Sequence, residues 1–289
     1  MFRRWDVFAI VMTMTQVPRV SILMATWNRA ALIGKTIESI LDQSFADWEI
    51  VITDDGSTDD TPRIAEEWVK KDPRIAYVRS QINQGISKNY NQGFAKCRGE
   101  YIAMIDDDDP WCDRDKLKKQ IAFLDSHADY VGCGGGVIVI DENGRERYRY
   151  LKPETDKQIR SLMLFSNPMA NSTTTFRRTA GEKVGWYDAT TRYAGDRDFW
   201  LKMGLIGKLY NHPEYFSYYT MAGHNTSITK LRPHLKASLM LMKRYRDSYP
   251  SYYQALLLNE IQYVYAFLPA FIRRPLHVLL ARVKRMVVG

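Results

Sequence analysis

Four consecutive carboxylates, Asp106, Asp107, Asp108 and Asp109, follow directly on the apolar run Tyr101-Ile-Ala-Met-Ile105. Like charges this close either disperse into water or share a cation, and hard carboxylate oxygens suit Mg2+ or Mn2+. Both ions keep positions open for phosphate oxygens, so an acid-tipped strand is a place where a protein carboxylate can be bridged to a diphosphate. Taken alone, an acidic run more often marks a solvated turn. The residues upstream reverse that balance.

The elements that must position this cluster are legible from periodicity. An apolar run over 19–25 leads into Thr26-Trp27-Asn28-Arg29, and Ile33, Ile37, Ile40 and Leu41 then recur at helical spacing. A second strand over 48–53 ends at Asp54-Asp55-Gly56-Ser57, and Thr61-Pro62 starts a helix that runs to Lys71. A third strand spans 75–78, Asn83-Gln84-Gly85 makes a turn, 86–97 reads as a helix, and Gly99-Glu100 introduces the acid-tipped fourth strand. The alternation predicts an α/β protein with a mostly parallel sheet flanked by helices and ligands at the carboxyl ends of the strands. No Gly-x-Gly-x-x-Gly follows the first strand, which disfavours a dinucleotide fold. Beyond residue 117 the pattern predicts two strands, 130–140 and 145–150, about the turn Glu142-Asn143-Gly144, then a helix over 154–165 and a short strand over 171–176.

Five signatures fall in order within 20–117: Ser21-Ile-Leu-Met-Ala-Thr-Trp-Asn28, Ser39-Ile-Leu-Asp-Gln43, Glu49-Ile-Val-Ile-Thr-Asp-Asp-Gly-Ser57, Asn83-Gln-Gly85 and Gly99-Glu-Tyr-Ile-Ala-Met-Ile-Asp-Asp-Asp-Asp109. Together they resemble family 2 glycosyltransferases of the GT-A fold, inverting, metal-dependent enzymes that use nucleotide-sugar donors. Nothing after His234 resembles the shared core.

The resemblance implies roles. Asp106-Asp107-Asp108 occupies the family's Asp-x-Asp position: Asp108 would bind Mn2+ or Mg2+, while Asp106 or Asp107 would reach the donor's ribose or the metal's waters. Asp109 would either join them or cap the turn before Pro110-Trp111. Asp55 matches the acid that accepts the base's ring N–H, which favours uracil and hence a UDP-linked donor, while Asp54 supports the loop. Thr26 and Asn28 would contact base and ribose. Trp27 stands where the family usually has Tyr, and its indole would stack or pack under the loop. An inverting transfer needs a base for the acceptor hydroxyl. Asp196, in Tyr193-Ala-Gly-Asp-Arg-Asp-Phe-Trp200, is the candidate; the family more often has Glu-Asp where this chain has Gly195-Asp196. Asp198 is the alternative, or else the partner of Arg192 or Arg197. Thr173 and Thr175 would contact acceptor sugar or pack in an edge strand. His224, in Met221-Ala-Gly-His-Asn-Thr-Ser-Ile228, matches a loop that closes over the diphosphate in some members, as metal or phosphate ligand or as a surface residue.

The chain of 289 residues, 45 % apolar, can bury one substantial core with an appendage. We expect an N-terminal extension over 1–17, a catalytic domain over 18–229 and a basic, amphipathic helical region over 230–289. Of the formal net charge of +8, the last sixty residues hold +9, leaving the catalytic part near −1. No nucleic-acid recognition motif accompanies these cations, so anionic lipid headgroups are the expected partner. The run 261–272 is too short to span a bilayer, whereas Leu276, Leu279, Leu280, Val283 and Val287 share one helical face away from Arg282, Lys284 and Arg285. Cys97, Cys112 and Cys133 lack metal-type spacing and fit a reducing compartment. The expectation is therefore a cytoplasmic enzyme, peripheral on the inner membrane face, acting on a saccharide or lipid-linked saccharide. Two rivals are a nucleotidyltransferase, for which Thr26-Trp27-Asn28-Arg29 supplies no Gly-rich phosphate loop, and a non-catalytic nucleotide- or glycan-binding protein.

Overall fold

A computed structural model describes residues 17–191, 193–221 and 231–268. Strands β1 (Val20–Thr26), β2 (Trp48–Asp54), β3 (Ile75–Arg79) and β4 (Tyr101–Asp106) lie parallel in the order β3-β2-β1-β4. Helices α1 (Ile33–Leu41), α2 (Thr61–Lys71) and α3 (Ile86–Phe94) make the crossovers. Register matters here: Thr26 lies opposite Asp54, and Ala25 opposite Asp106, so the polar ends of three strands reach one edge. β1, β2 and β4 are buried along nearly their whole length because both faces are covered. Ile22, Met24, Ile50, Ile52 and Ile105 pack on α1, and the alternate residues Leu23, Val51, Ile102 and Met104 join the opposite core.

The second half adds α4 (Lys116–Ser126), β5 (Tyr130–Ile140), β6 (Glu146–Tyr150), α5 (Asp156–Leu162), β7 (Thr175–Arg177), α6 (Arg178–Val184), α7 (Gly195–Ile206) and β8 (Lys208–Thr220). β7 inserts between β4 and β5, antiparallel to both, while β6 and β8 flank the upper part of β5. The glycine run of β5 permits this: a Cβ on Gly135 would lie 2.5 Å from the Phe216 ring, and one on Gly136 2.9 Å from the Tyr150 carbonyl. The predicted strand over 171–176 is instead a 3-10 turn, Asn171–Thr173, followed by β7. Thr175, in the internal strand β7, and Thr173, in the turn before it, are wholly buried, their hydroxyls donating to Gln120 Oε1 (2.6 Å) and Ala170 O (2.7 Å). Neither faces an acceptor, and neither lies in an edge strand.

Two further helices, Leu231–Arg244 and Tyr252–Tyr265, pack on one another. Leu239, Leu241, Met242, Tyr245, Tyr249 and Ala255 enter the same core cluster as Phe199, Trp200 and Leu201 of α7. The Tyr249 hydroxyl donates to Leu201 O at 2.6 Å. Among the described residues no helix is long and apolar enough to cross a membrane, and all three cysteines are free thiols.

Lys116 is the largest electrostatic oddity of the core. Fully buried, its ammonium sits 4.0 Å from the Trp111 ring centre and donates to Gln120 Oε1 at 2.8 Å. Burial pushes its pKa down to about 7, opposed by Cys133 and Asp113. An unfolded chain keeps that proton until near the ordinary lysine value of 10.5. Between those limits the unfolded state binds the extra proton, so stability should rise with pH, at up to roughly 1.4 kcal/mol per pH unit. Lys116→Met is expected to flatten that rise in urea midpoints measured from neutral to mildly alkaline pH; an unchanged slope would place the titration elsewhere.

Candidate active site

The loop after β2 is held from within. Asp54, fully buried, accepts Ser57 N (2.8 Å), Ser57 Oγ (2.6 Å) and the Tyr77 hydroxyl (2.5 Å), so it supports the loop. Asp55 accepts Gln84 N at 2.7 Å and Gly85 N at 2.8 Å, one on each oxygen. It therefore fixes the Asn83-Gln84-Gly85 turn, and each oxygen retains a lone pair for another donor. Asn28 adopts a left-handed backbone (φ 54°), and its Oδ1 accepts Thr58 N at 2.8 Å. That bond ties the β1 loop to the β2 loop. Trp27 is 49 % exposed and so does not pack under the loop.

The four acids differ sharply. Asp106 Oδ1 accepts the Tyr90 hydroxyl (2.6 Å) and Asn171 Nδ2 (2.9 Å), and its Oδ2 accepts Ser172 Oγ (3.1 Å). Burial raises its pKa, and these donors oppose the rise. Asp107 is pushed up to about 7, first by burial and then by the charge of Asp108, with Thr26 and Arg29 opposing. Arg29 Nε lies 3.4 Å from Asp107 and 3.9 Å from Asp108. The Asp109 carboxyl does not cap its own turn: it accepts Ser172 Oγ at 2.8 Å and Thr220 N at 3.3 Å, joining the acid loop to the end of β8. Burial, then Asp106 and Asp108, hold it well above the usual carboxylate range.

Among the described residues no three His, Cys, Asp or Glu side chains are grouped to hold a metal by themselves. The donor set nevertheless fits Mg2+ or Mn2+, which are commonly held by one or two carboxylates while phosphates and waters fill the remaining positions. Asp106 is pinned by neutral donors, Asp109 is turned inward and Asp107 is buried beside Arg29, whereas Asp108 is partly exposed at the same strand end.

Helix α7 brings up the remaining acids. Ala194 takes a left-handed conformation (φ 58°) and Asp196 falls in the first helical turn, where the helix dipole favours a carboxylate. A Cβ on Gly195 would lie 2.9 Å from Ser87 Oγ, so the helix start sits tightly against α3. Asp196 is partly open and accepts Asn167 Nδ2 at 2.8 Å. Asp198 is buried and accepts the Tyr245 hydroxyl at 2.9 Å and Arg244 Nη1 at 3.3 Å, with Lys202 Nζ at 3.6 Å. The expected Arg197 partnership is absent: Arg197 donates to Met163 O and Leu164 O instead. Arg192 and His224 lie outside the described residues.

Sequence reasoning missed the side chains that connect these groups. The Tyr187 hydroxyl donates to Asn171 Oδ1 at 3.3 Å, and Asn171 donates to Asp106. Burial and the charges of Asp196 and Asp106 raise the Tyr187 pKa, which places its hydroxyl within the fields of both acids. Asn171, Tyr187 and Asn167 carry no local motif, and only their positions across the fold mark them.

A parallel half with acid-tipped strands, joined to a second half whose helix presents an acid to them, is the architecture of GT-A glycosyltransferases. The structure of S. aureus TarS residues 1–349 in complex with UDP-GlcNAc matches with a TM-score of 0.63 at 20 % identity, over 86 % of this chain and 73 % of that one. Mannosyltransferase PcManGT from Pyrobaculum calidifontis, in complex with GDP-Man and Mn2+, matches with a TM-score of 0.62 at 18 % identity, over 98 % and 79 %. Residues 21–185 match the sequence model of glycosyl transferase family 2. An uncharacterized glycosyltransferase of Haemophilus influenzae is 30 % identical over 227 residues, 74 % of this chain and 69 % of that protein. The chain belongs to glycosyl transferase family 2.

Proposed function

We propose that this protein transfers a hexosyl or N-acetylhexosaminyl unit from a nucleotide sugar, UDP-linked by preference, to a saccharide hydroxyl with inversion. The observation that carries the reading is the acid-tipped end of β4, where Asp108 is partly exposed and Asp106 is joined through Asn171 and Tyr187 toward a second, separately held carboxylate, Asp196. Trp27 would stack on the base, Asp55 would accept its ring N–H, and Thr26 and Asn28 would border base and ribose. Asp108 would hold Mn2+ or Mg2+, which when bound neutralises charge developing on the departing diphosphate. Asp196 would take the proton of the attacking hydroxyl, and Asn167 would keep its carboxylate oriented. A UDP-GlcNAc complex of TarS and a GDP-Man, Mn2+ complex of PcManGT support the donor and metal classes. Purified protein with Mn2+ and a panel of nucleotide sugars, read by diphosphate release, tests the reading. Release from none of them would overturn it.

The proposed acceptor is a polysaccharide or lipid-linked saccharide met at a membrane surface. Support comes from the helix Tyr252–Tyr265 and the residues just after it. Tyr253, Leu257, Ile261, Val264 and Phe267, spaced three or four apart, form an exposed apolar stripe down one side. Such a stripe, with the Arg232 guanidinium 4.3 Å from the Phe267 ring centre, suits the boundary of headgroups and acyl chains. The proposed basic helix beyond Pro275 lies outside the described residues. Leu257→Glu combined with Val264→Glu is expected to abolish flotation with anionic liposomes while leaving UDP affinity intact; flotation unchanged by that pair would exclude the stripe as the contact.

A further inference from the structure

Strand β6 and the residue after it carry three exposed large side chains, Tyr148 (52 %), Tyr150 (37 %) and Leu151 (46 %). The two rings lie 6.2 Å apart and are inclined by 31°. Their height in the fold is set by register. Ala103 pairs with Thr175 and Thr175 with Cys133, so the part of β5 beyond Gly136 stands level with the acid loop or above it; Val137 and Val139 of that part pair with Tyr150 and Tyr148. The β5–β6 hairpin is thus a wall rising beside Asp109.

After burial, the charges of Tyr148, Tyr219 and Asp109 push the Tyr150 phenol up to about 12, which places it in the field of the acid cluster. On the other side, Lys152 Nζ sits 5.4 Å from the Tyr150 ring centre and donates to Asn167 O at 3.0 Å. Asn167 in turn holds Asp196. Tyr150 is therefore linked to Asp196 through Lys152 and Asn167.

The cations of the same strand are already engaged. Arg147 pairs with Asp141 at 3.1 Å, and Arg149 with Glu146 at 2.5 Å, so the cations of β6 itself are compensated, and Lys152 beyond it lies over the Tyr150 ring and is held by Asn167 O. Tyrosine faces with free edges suit the C–H faces of a pyranose, and the phenol hydroxyl can bond a ring substituent. We propose that Tyr148 and Tyr150, with Leu151, form the platform on which the acceptor saccharide stacks, its attacking hydroxyl turned toward Asp196. The proposal rests on the glycosyltransferase reading above and names the acceptor side of that site.

Saturation-transfer NMR on UDP-loaded protein with a panel of methyl glycosides (glucoside, galactoside, N-acetylglucosaminide and N-acetylgalactosaminide) tests it. At least one glycoside is expected to receive saturation on its ring protons. Tyr150→Ala should weaken that glycoside about tenfold and Tyr148→Ala somewhat less, whereas Tyr150→Phe keeps the ring and should stay near wild type. UDP affinity, read by calorimetry, should be the same in all three variants. No saturation of any glycoside by wild-type protein, or an affinity unchanged by both alanine substitutions, overturns the platform. Failure of wild-type protein to bind UDP would count against the donor reading instead.

Discussion

Asp196→Asn is expected to lower turnover by roughly two to four orders of magnitude, the scale of losing a general base, while the affinity for nucleotide sugar and metal stays near wild type. The amide keeps the shape and can still pair with Asn167 after its own rotation, but it takes no proton. Asp198→Asn is expected to act differently. Its carboxylate is buried against Tyr245, Arg244 and Lys202, and weakening a buried charge cluster costs folding stability. The expected result is a lowered denaturation midpoint with turnover per folded molecule preserved. A turnover assay normalised to folded protein, beside calorimetry with the intact donor, separates the two. Should Asp198→Asn abolish turnover in well-folded protein while Asp196→Asn does not, the roles are exchanged.

Asp108→Ala is the second large effect. Removing this carboxylate should abolish Mn2+ binding to the UDP complex, read directly by calorimetry, and with it most of the transfer activity. Asp109→Ala should leave Mn2+ affinity nearly unchanged and lower stability, because Asp109 is held above the usual carboxylate range by burial and by Asp106 and Asp108, and its oxygens serve Ser172 and Thr220. A carboxyl that favours its proton and faces inward is a poor cation ligand. Metal affinity that survives Asp108→Ala and is lost in Asp109→Ala would invert the assignment.

The comparison of these four acids shows where sequence reading reaches its limit. All four stand in one run, and the amino-acid pattern distinguishes none of them by environment. Asp106 is set apart by Tyr90, Asn171 and Ser172, which lie 16 to 66 residues away. The different surroundings of Asp196 and Asp198, two residues apart on one helix, come in the same way from Asn167 on one side and Tyr245 on the other. Trp27 was undecided between stacking and packing because a loop indole has no periodic neighbours; its 49 % exposure resolves the question of burial.

What the chain determined by itself is the parallel half and its acid-bearing edge. Strand and helix periods are local, and an acid that directly follows an apolar run must emerge at that strand's carboxyl end wherever the strand lies in the sheet. The hairpin at Asn143-Gly144 is legible for the same reason, since its turn chemistry spans neighbouring residues. Only the tertiary structure decided that β7 lies inside the sheet, which buries Thr175, and that Asp198 is buried against Tyr245 while Asp196 stays partly open. Those outcomes depend on strand order and on contacts between residues far apart in sequence, and a local hydrophobic pattern is the same whichever neighbour a strand takes.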